Sequence, residues 1–399
     1  MSFLHTISPS ELPSASPSYT LWQMVRYMLR LGTLGFGGPV ALVGYMYRDL
    51  VEQRRWISDA DYKEGLALAQ LMPGPLAAQL AIYLGYVHFR LWGATLVGLA
   101  FVLPSFVMVV TLGVVYKAYG GIAWMQAVFY GVGASVIGII ALSAYKLTTK
   151  SVGKDRLLWG IYLTSGAVTI ATQSEVIWVF LGAGLLVWAV RGPLKGTGSR
   201  FHGMAWAVPL VSALDLDTVD WNKLGQIAAY FTYAGAFVFG SGLAIVPFLY
   251  GGVVKEYAWL TDRQFVDAVA VAMITPGPVV ITTGFIGFLT SGFWGAVVAA
   301  AATFLPCYLL TVIPAPYFKK HGKQPAVVAF VDGVTAAAVG AIAGAVVVLG
   351  QRSIVDMSTA ALAIATTVVL WQFKKLPEPV VVLVAAMIGF VIYPIATPA

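Results

Sequence analysis

The sequence predicts an all-α polytopic membrane protein built as two inverted-topology repeats, each of about five transmembrane helices plus a re-entrant Pro-Gly-Pro helical hairpin. Three observations carry this reading. Hydrophobic residues make up 59% of the 399 and charged residues 10%, against roughly 25% charged in a soluble domain, and apolar runs near the ~18 residues that cross a bilayer recur along the chain. Phe36-Gly37-Gly38-Pro39, Trp56-Ile57-Ser58-Asp59 and Met72-Pro73-Gly74-Pro75 return 203 positions later as Phe239-Gly240-Ser241-Gly242, Trp259-Leu260-Thr261-Asp262 and Thr275-Pro276-Gly277-Pro278. Pro104, Gly131, Ala134 and Gly138 are answered in turn, 202 positions on, by Pro306, Gly333, Ala336 and Gly340. A duplicated membrane unit with Gly and Pro interrupting matching apolar segments points to a transporter whose site lies at the breaks.

Residues 1–20 are polar and rich in Ser and Pro, with no Lys or Arg, which reads as a disordered tail rather than a signal peptide. The first repeat is placed at 21–191, a cytoplasmic linker at 192–223 and the second repeat at 224–399. The first apolar segment, 21 to 47, is broken at Gly35 to Pro39 and reads as a span of two helical pieces, since Pro in a first helical turn loses no helix bond. Ser58 with Asp61 forms a capping-box-like helix start, repeated by Thr261 with Gln264. The helix that follows stops at Pro73-Gly74-Pro75, and a second runs to about Phe89. Each limb is roughly 15 residues, about 22 Å, too short to cross the ~30 Å apolar core alone, so the pair is either a re-entrant hairpin or one kinked span. Spans follow at 92–116, 122–145, 157–172 and 174–190. The second repeat reads the same way: a broken span at 224–250, a hairpin at 264–290, then spans at 293–316, 327–350, 357–373 and 379–396.

Loop charge supports the returning hairpin. With the amino terminus outside, every Lys and Arg except Arg26, Arg30, Lys117, Lys255, Arg263 and Arg352 falls on the inside face; a crossing hairpin would separate the Arg48–Lys63 and Lys146–Arg156 clusters, against the positive-inside tendency. Arg26 and Arg30 fit least well, because they lie within the first apolar segment. The net charge of +7 is explained by these loops, and no nucleic-acid partner is expected. A lone Cys307 excludes an intramolecular disulfide framework.

Helix starts inside a membrane leave backbone N–H groups unpaired and place about half a positive charge there, which attracts an anion. Four such starts are expected to converge, after Gly38, Pro73, Gly240 and Pro276. The candidate substrate residues are Arg30, Gly37, Gly38, Pro73, Gly74, Pro75, Gln79, Gly240, Ser241, Thr275, Pro276, Gly277, Pro278 and Thr282, with Thr283 and Gln70 nearby. Taken singly, the breaks read as kinks and the hydroxyls and amides as helix-packing groups; four breaks in duplicated register read as a site. Arg30 either faces that site or snorkels to the interface. Glu64 and Asp267 correspond across the repeats and are either proton carriers or solvated acids of a first helical turn. Trp56 and Trp259 read as interfacial aromatics, and Gly340 with Gly344 as a helix-packing contact. The four histidines fall in the tail or loops, none beside a Ser or Cys on a span, so no enzyme, metal or cofactor is expected.

The Phe-Gly-Gly-Pro segment, the basic strip ending in Arg55-Trp56, the Leu71-Met72-Pro73-Gly74-Pro75 turn and their echo in the second half resemble the chromate ion transporters in their long two-domain form, over about Leu21 to Pro394. The resemblance implies export of chromate from the bacterial cytoplasm across the inner membrane, conferring resistance, driven by the proton motive force or the membrane potential. Gly240-Ser241-Gly242 departs from Gly37-Gly38-Pro39, so the half-sites need not bind equally. The expected partners are a chromate- or sulfate-like oxyanion and membrane lipid, with a homodimer as an open assembly. A sulfate or general oxyanion carrier and a passive anion channel are the alternative readings.

Overall fold

Two hairpins from one face, rather than one, open the first repeat. The computed structural model describes residues 19–35, 38–119, 123–172, 176–191, 220–236, 245–321, 325–373, 376 and 378–396. Helix α1 (Leu21–Leu34) is capped by Thr20, whose hydroxyl oxygen accepts the Gln23 N–H while the Gln23 side chain accepts the Thr20 N–H. Helix α2 (Gly38–Met46) continues as a π-helical turn, Tyr47–Gln53. Tyr27 of α1 donates to Tyr45 O at 3.3 Å and to Asp49 Oδ2 at 3.2 Å, and Tyr19 stacks on Trp56 with ring centroids 4.9 Å apart. In a straight span, residues 27 and 45 would lie about 27 Å apart at 1.5 Å per residue. The 21–47 segment therefore folds back instead of crossing, and the start of α1 shares a face with the basic strip after α2. Arg26 and Arg30 thereby join the other cations of that face, and the amino-terminal end of α1 does not lie opposite them as the sequence reading had it.

The Pro-Gly-Pro segment forms the second hairpin. Helix α3 (Asp59–Leu71) is capped by Ser58, which accepts the Asp61 N–H. The first limb of α4 (Leu76–Tyr119) returns to the starting face, where His88 Nδ1 lies 2.7 Å from the Tyr19 hydroxyl. The chain then reverses at Arg90, at φ 53°, and the second limb of α4 runs antiparallel to the first with Gly93 against Gly85. A methyl group on Gly93 would overlap the Gly85 carbonyl oxygen.

The second repeat copies these details. Helices α8 (Trp221–Ala236), α9 (Ile245–Tyr250) and α10 (Asp262–Ile274) correspond to α1, α2 and α3, and α11 (Thr282–Val312) to α4, with its reversal at Ser291 and Gly292. A π-helical turn again follows the second helix, Gly251–Glu256. The left-handed residues Arg55 and Ala258 correspond, as do the bonds from Trp56 N to Leu50 O and from Trp259 N to Val253 O. Thr261 and Gln264 form the full capping box. The inversion is visible where the repeats touch: Thr95, early in the second limb of α4, meets Tyr308 late in α11 at 2.8 Å, while Tyr116 at its far end reaches Asp267 of α10. The hairpins of the second repeat thus enter from the opposite face.

The remaining helices interlock. Helices α5 (Ala123–Ser151), α6 (Arg156–Thr172) and α7 (Ile177–Arg191) belong to the first repeat, and α12 (Ala315–His321), α13 (Pro325–Ser353), α14 (Met357–Gln372) and α15 (Glu378–Ala396) to the second. Helix α5 packs against α14 and α15 of the other repeat, and α13 against α6 and α7. Small residues permit the close approach: Gly131 abuts Gly389, Gly340 abuts Tyr162 and Gly344 abuts Gly166. Arg191 pairs with Asp155 at the start of α6, so the first repeat ends on the face where it began, whereas α8, with Lys223, starts from the other; the two ends of the expected linker thus lie on opposite faces, at odds with a linker held wholly on the cytoplasmic side. Residues 192–219 of the expected linker, and 1–18 of the tail, lie outside the described residues.

Candidate functional site

The hairpin tips from opposite faces meet inside the protein. The Gly277 N–H, in the second Pro-Gly-Pro turn, donates to the Gly35 carbonyl at the end of α1 at 3.1 Å. Ser105 of α4 donates its hydroxyl to Pro276 O at 2.7 Å, and Gly32 lies against the Phe101 carbonyl. Gly277 has φ +96° and Gly74 φ +144°, a region where only glycine sits without strain. A Cβ on Gly277 would overlap the Ser105 hydroxyl, and one on Gly74 would lie 2.6 Å from the Gln79 amide. Between the tips, Pro39, Leu42, Pro75, Ala77, Gly277, Pro278 and Val279 enclose only about 10 Å³, room for one water at most.

Gln79 is fully buried and donates Nε2–H to Pro73 O at 2.7 Å, which ties the helix start to its own turn, while its Oε1 has no partner among the described residues. The candidate hydroxyls close locally: Thr275 donates to Ala272 O, Thr282 to Val279 O and Thr283 to Val280 O. After Pro278 the chain first makes a 3₁₀ turn, Val279–Ile281, and becomes α-helical at Thr282, so this start lies one turn later than expected. Gln70, in the last turn of α3 just before the first tip, is exposed. Gly38 opens α2. Gly37, Gly240 and Ser241 lie outside the described residues, and the fourth helix start with them.

A larger cavity leads toward this contact from the first face. It holds about 660 Å³ and is lined by Arg26, Arg30, Arg48 and Arg54, with Gln23, Gln53 and Asp49, down to Gly35. Asp49 is engaged by Arg48 Nε at 2.9 Å and by the Tyr27 hydroxyl; Arg54 lies 4.6 Å over Trp56. Arg26 and Arg30 have no ion-pair or hydrogen-bond partner among the described residues.

The two corresponding acids are held differently. Glu64 is half-buried and accepts from Tyr83 of its own hairpin at 2.9 Å. Asp267 is only 4% exposed and accepts from Tyr116 of the other repeat at 2.7 Å, so it is not a solvated first-turn acid. Sequence reasoning missed Ser105 and the two tyrosines. Ser105 follows Pro104, a marked position of the repeat, and could have been found; Tyr83 and Tyr116 could not, because their counterparts are Ile286 and Phe318.

The sequence model of the family described as Chromate transporter matches residues 22–188 and 225–390, the two repeats in turn. The chain is 69% identical over 381 residues to the chromate transport protein of Cupriavidus metallidurans, covering 95% of each chain. It is 62% identical to a probable chromate transport protein of Synechococcus elongatus, covering 94% of this chain and 97% of the other. It is 31% identical to the chromate transport protein of Pseudomonas aeruginosa, covering 95% and 94%. No solved structure matches it. With the family match falling on both repeats and these identities holding over nearly the full length, the chain belongs to the chromate transporter family.

Proposed function

We propose that this protein is a secondary transporter that exports chromate from the bacterial cytoplasm across the inner membrane, conferring chromate resistance, with the anion bound near the midplane at the helix starts where the hairpin tips meet. The observation that carries the proposal is the Gly277 N–H to Gly35 O bond between hairpins entering from opposite faces. A tetrahedral dianion does not fit the ~10 Å³ between the tips, so binding requires the tips to part, which frees the Gly277 N–H and uncovers the start of α4. A hydrogen bond of this kind is worth only about 1 kcal/mol net, about half the gain from a charged acceptor at the same N–H.

The first face, which gathers Arg48, Arg54, Arg55, Lys63, Lys146 and Lys154, is the cytoplasmic one by the positive-inside tendency. An inside-negative potential assists exit of a dianion by ~4.6 kcal/mol per 100 mV, twice the value for a single charge. Because α5 and α13 interlock the back halves, alternating access proceeds by movement of the hairpins rather than by rocking one whole repeat. Glu64 and Asp267 are the candidates for proton coupling.

The test is uptake of radiolabelled chromate into inverted membrane vesicles, with and without an imposed potential or proton gradient and with sulfate as competitor. Gradient-dependent accumulation that resists excess sulfate is the expected result. Equilibration without accumulation points to a channel, and equal displacement by sulfate to a general oxyanion carrier.

A further inference from the structure

The repeats match in backbone detail but not in charge around the first hairpin. The four arginines of the cavity correspond to Ala229, Tyr233, Gly251 and Tyr257 in the second repeat. There Tyr230 lies directly over Gly252, which stands where the first repeat has Asp49, and Tyr257, in the place of Arg54, packs with Tyr230 and Trp259 at centroid distances of 4.6–5.8 Å within the group. The asymmetry is therefore one of charge: the first repeat lines its cavity with four arginines, and the second has neutral residues at all four positions.

We propose that Arg26, Arg30, Arg48 and Arg54 form a one-sided capture site for divalent oxyanions, which collects the cargo from the first face before it reaches the hairpin tips. Four cations face one carboxylate that is already engaged by Arg48 and Tyr27, leaving the vestibule strongly positive. A cleft lined by one sign of charge with low-dielectric walls concentrates counter-ions and raises association rates by 10- to 1,000-fold, with steep salt dependence. Guanidinium groups suit tetrahedral oxyanions because they donate two parallel hydrogen bonds. Arg26 and Arg30, which have no partners among the described residues, are the pair that supplies them. The vestibule ends at Gly35, whose carbonyl carries the contact that closes the tips, so a captured anion lies next to the gate it must open. The four counterpart positions in the second repeat carry no cation, and capture therefore favours loading from the first face.

This inference rests on chromate being the cargo, and the test separates the two. Initial rates of radiolabelled chromate uptake are measured in inverted vesicles, where the first face is exposed under the orientation above, as a function of chromate concentration and of ionic strength. Wild type should show KM rising several-fold from about 20 to 200 mM salt. Arg26→Gln/Arg30→Gln should raise KM about tenfold at low salt, flatten the salt dependence and lower the maximal rate far less. Arg26→Lys/Arg30→Lys should recover the salt dependence, which a merely structural role of the arginines would not do. Unchanged KM and salt slope in the glutamine variant, with transport abolished by Gly277→Ala, would overturn the capture site and leave the midplane site standing. Shifted KM in the arginine variants with full transport by Gly277→Ala would support capture and overturn the midplane reading.

Discussion

Gly277 meets two demands at once: a backbone at φ +96° and a neighbour, Ser105, whose hydroxyl occupies the space a side chain would need. The left-handed backbone alone costs a non-glycine residue about 1–3 kcal/mol, and the overlap forces the second hairpin off α4. Gly277→Ala is expected to abolish chromate uptake while the protein still reaches the membrane, and Ser105→Ala added to it should restore part of the activity. Vesicle uptake normalised to immunoblotted protein checks both. Gly153 is the control, with φ +55° but open space around it, so Gly153→Ala should transport at close to the wild-type rate. The need for glycine at Gly74 and Gly277 was legible in the sequence as Pro-Gly-Pro in duplicated register. The partner that makes one of them intolerant, Ser105, sits 172 positions before Gly277 and no local pattern joins them.

At the scale of elements, the 21–47 segment shows what composition and length leave open. Twenty-seven residues with a break in the middle suit a kinked span and a folded hairpin equally well, because Gly and Pro mark where a helix stops and not the angle at which the next begins. The two arginines that fitted least well, Arg26 and Arg30, were the remaining clue, and the hairpin accounts for them. Cysteines at Gln23 and Glu52 are expected to react with a membrane-impermeant reagent from the same side in a cysteine-free background, and one at Lys117 from the opposite side; a crossing span would separate the first two. The α4–α10 contact gives a second expectation. Tyr116→Phe leaves the buried Asp267 carboxylate without its hydrogen bond, which costs about 1–3 kcal/mol and should lower the melting temperature of the purified protein. Tyr83→Phe should lower it less, because Glu64 is half-exposed, and Tyr116→Phe combined with Asp267→Asn should recover part of the loss.

For the whole molecule, the all-α class and the duplication were legible from hydropathy and offset motifs, whereas the exchange of α5 and α13 between repeats was not. Both read as ordinary apolar spans, and the glycines that mark their contacts, Gly131 and Gly340, do not say which helix they face. The exchange predicts that residues 1–191 and 192–399 expressed as separate chains are each degraded, since α5 and α13 then lack their partners, and that co-expression restores both chains and chromate uptake. Uptake by either half alone would contradict it. The same exchange constrains the ancestry of the chain. A single-repeat ancestor could cover its fifth helix only with a second copy inserted the other way up, so it must have entered the membrane in both orientations and carried little charge bias. The four cavity arginines, which have no counterparts in the second repeat, then record a later step, in which a protein with two equivalent ends acquired a front and a back.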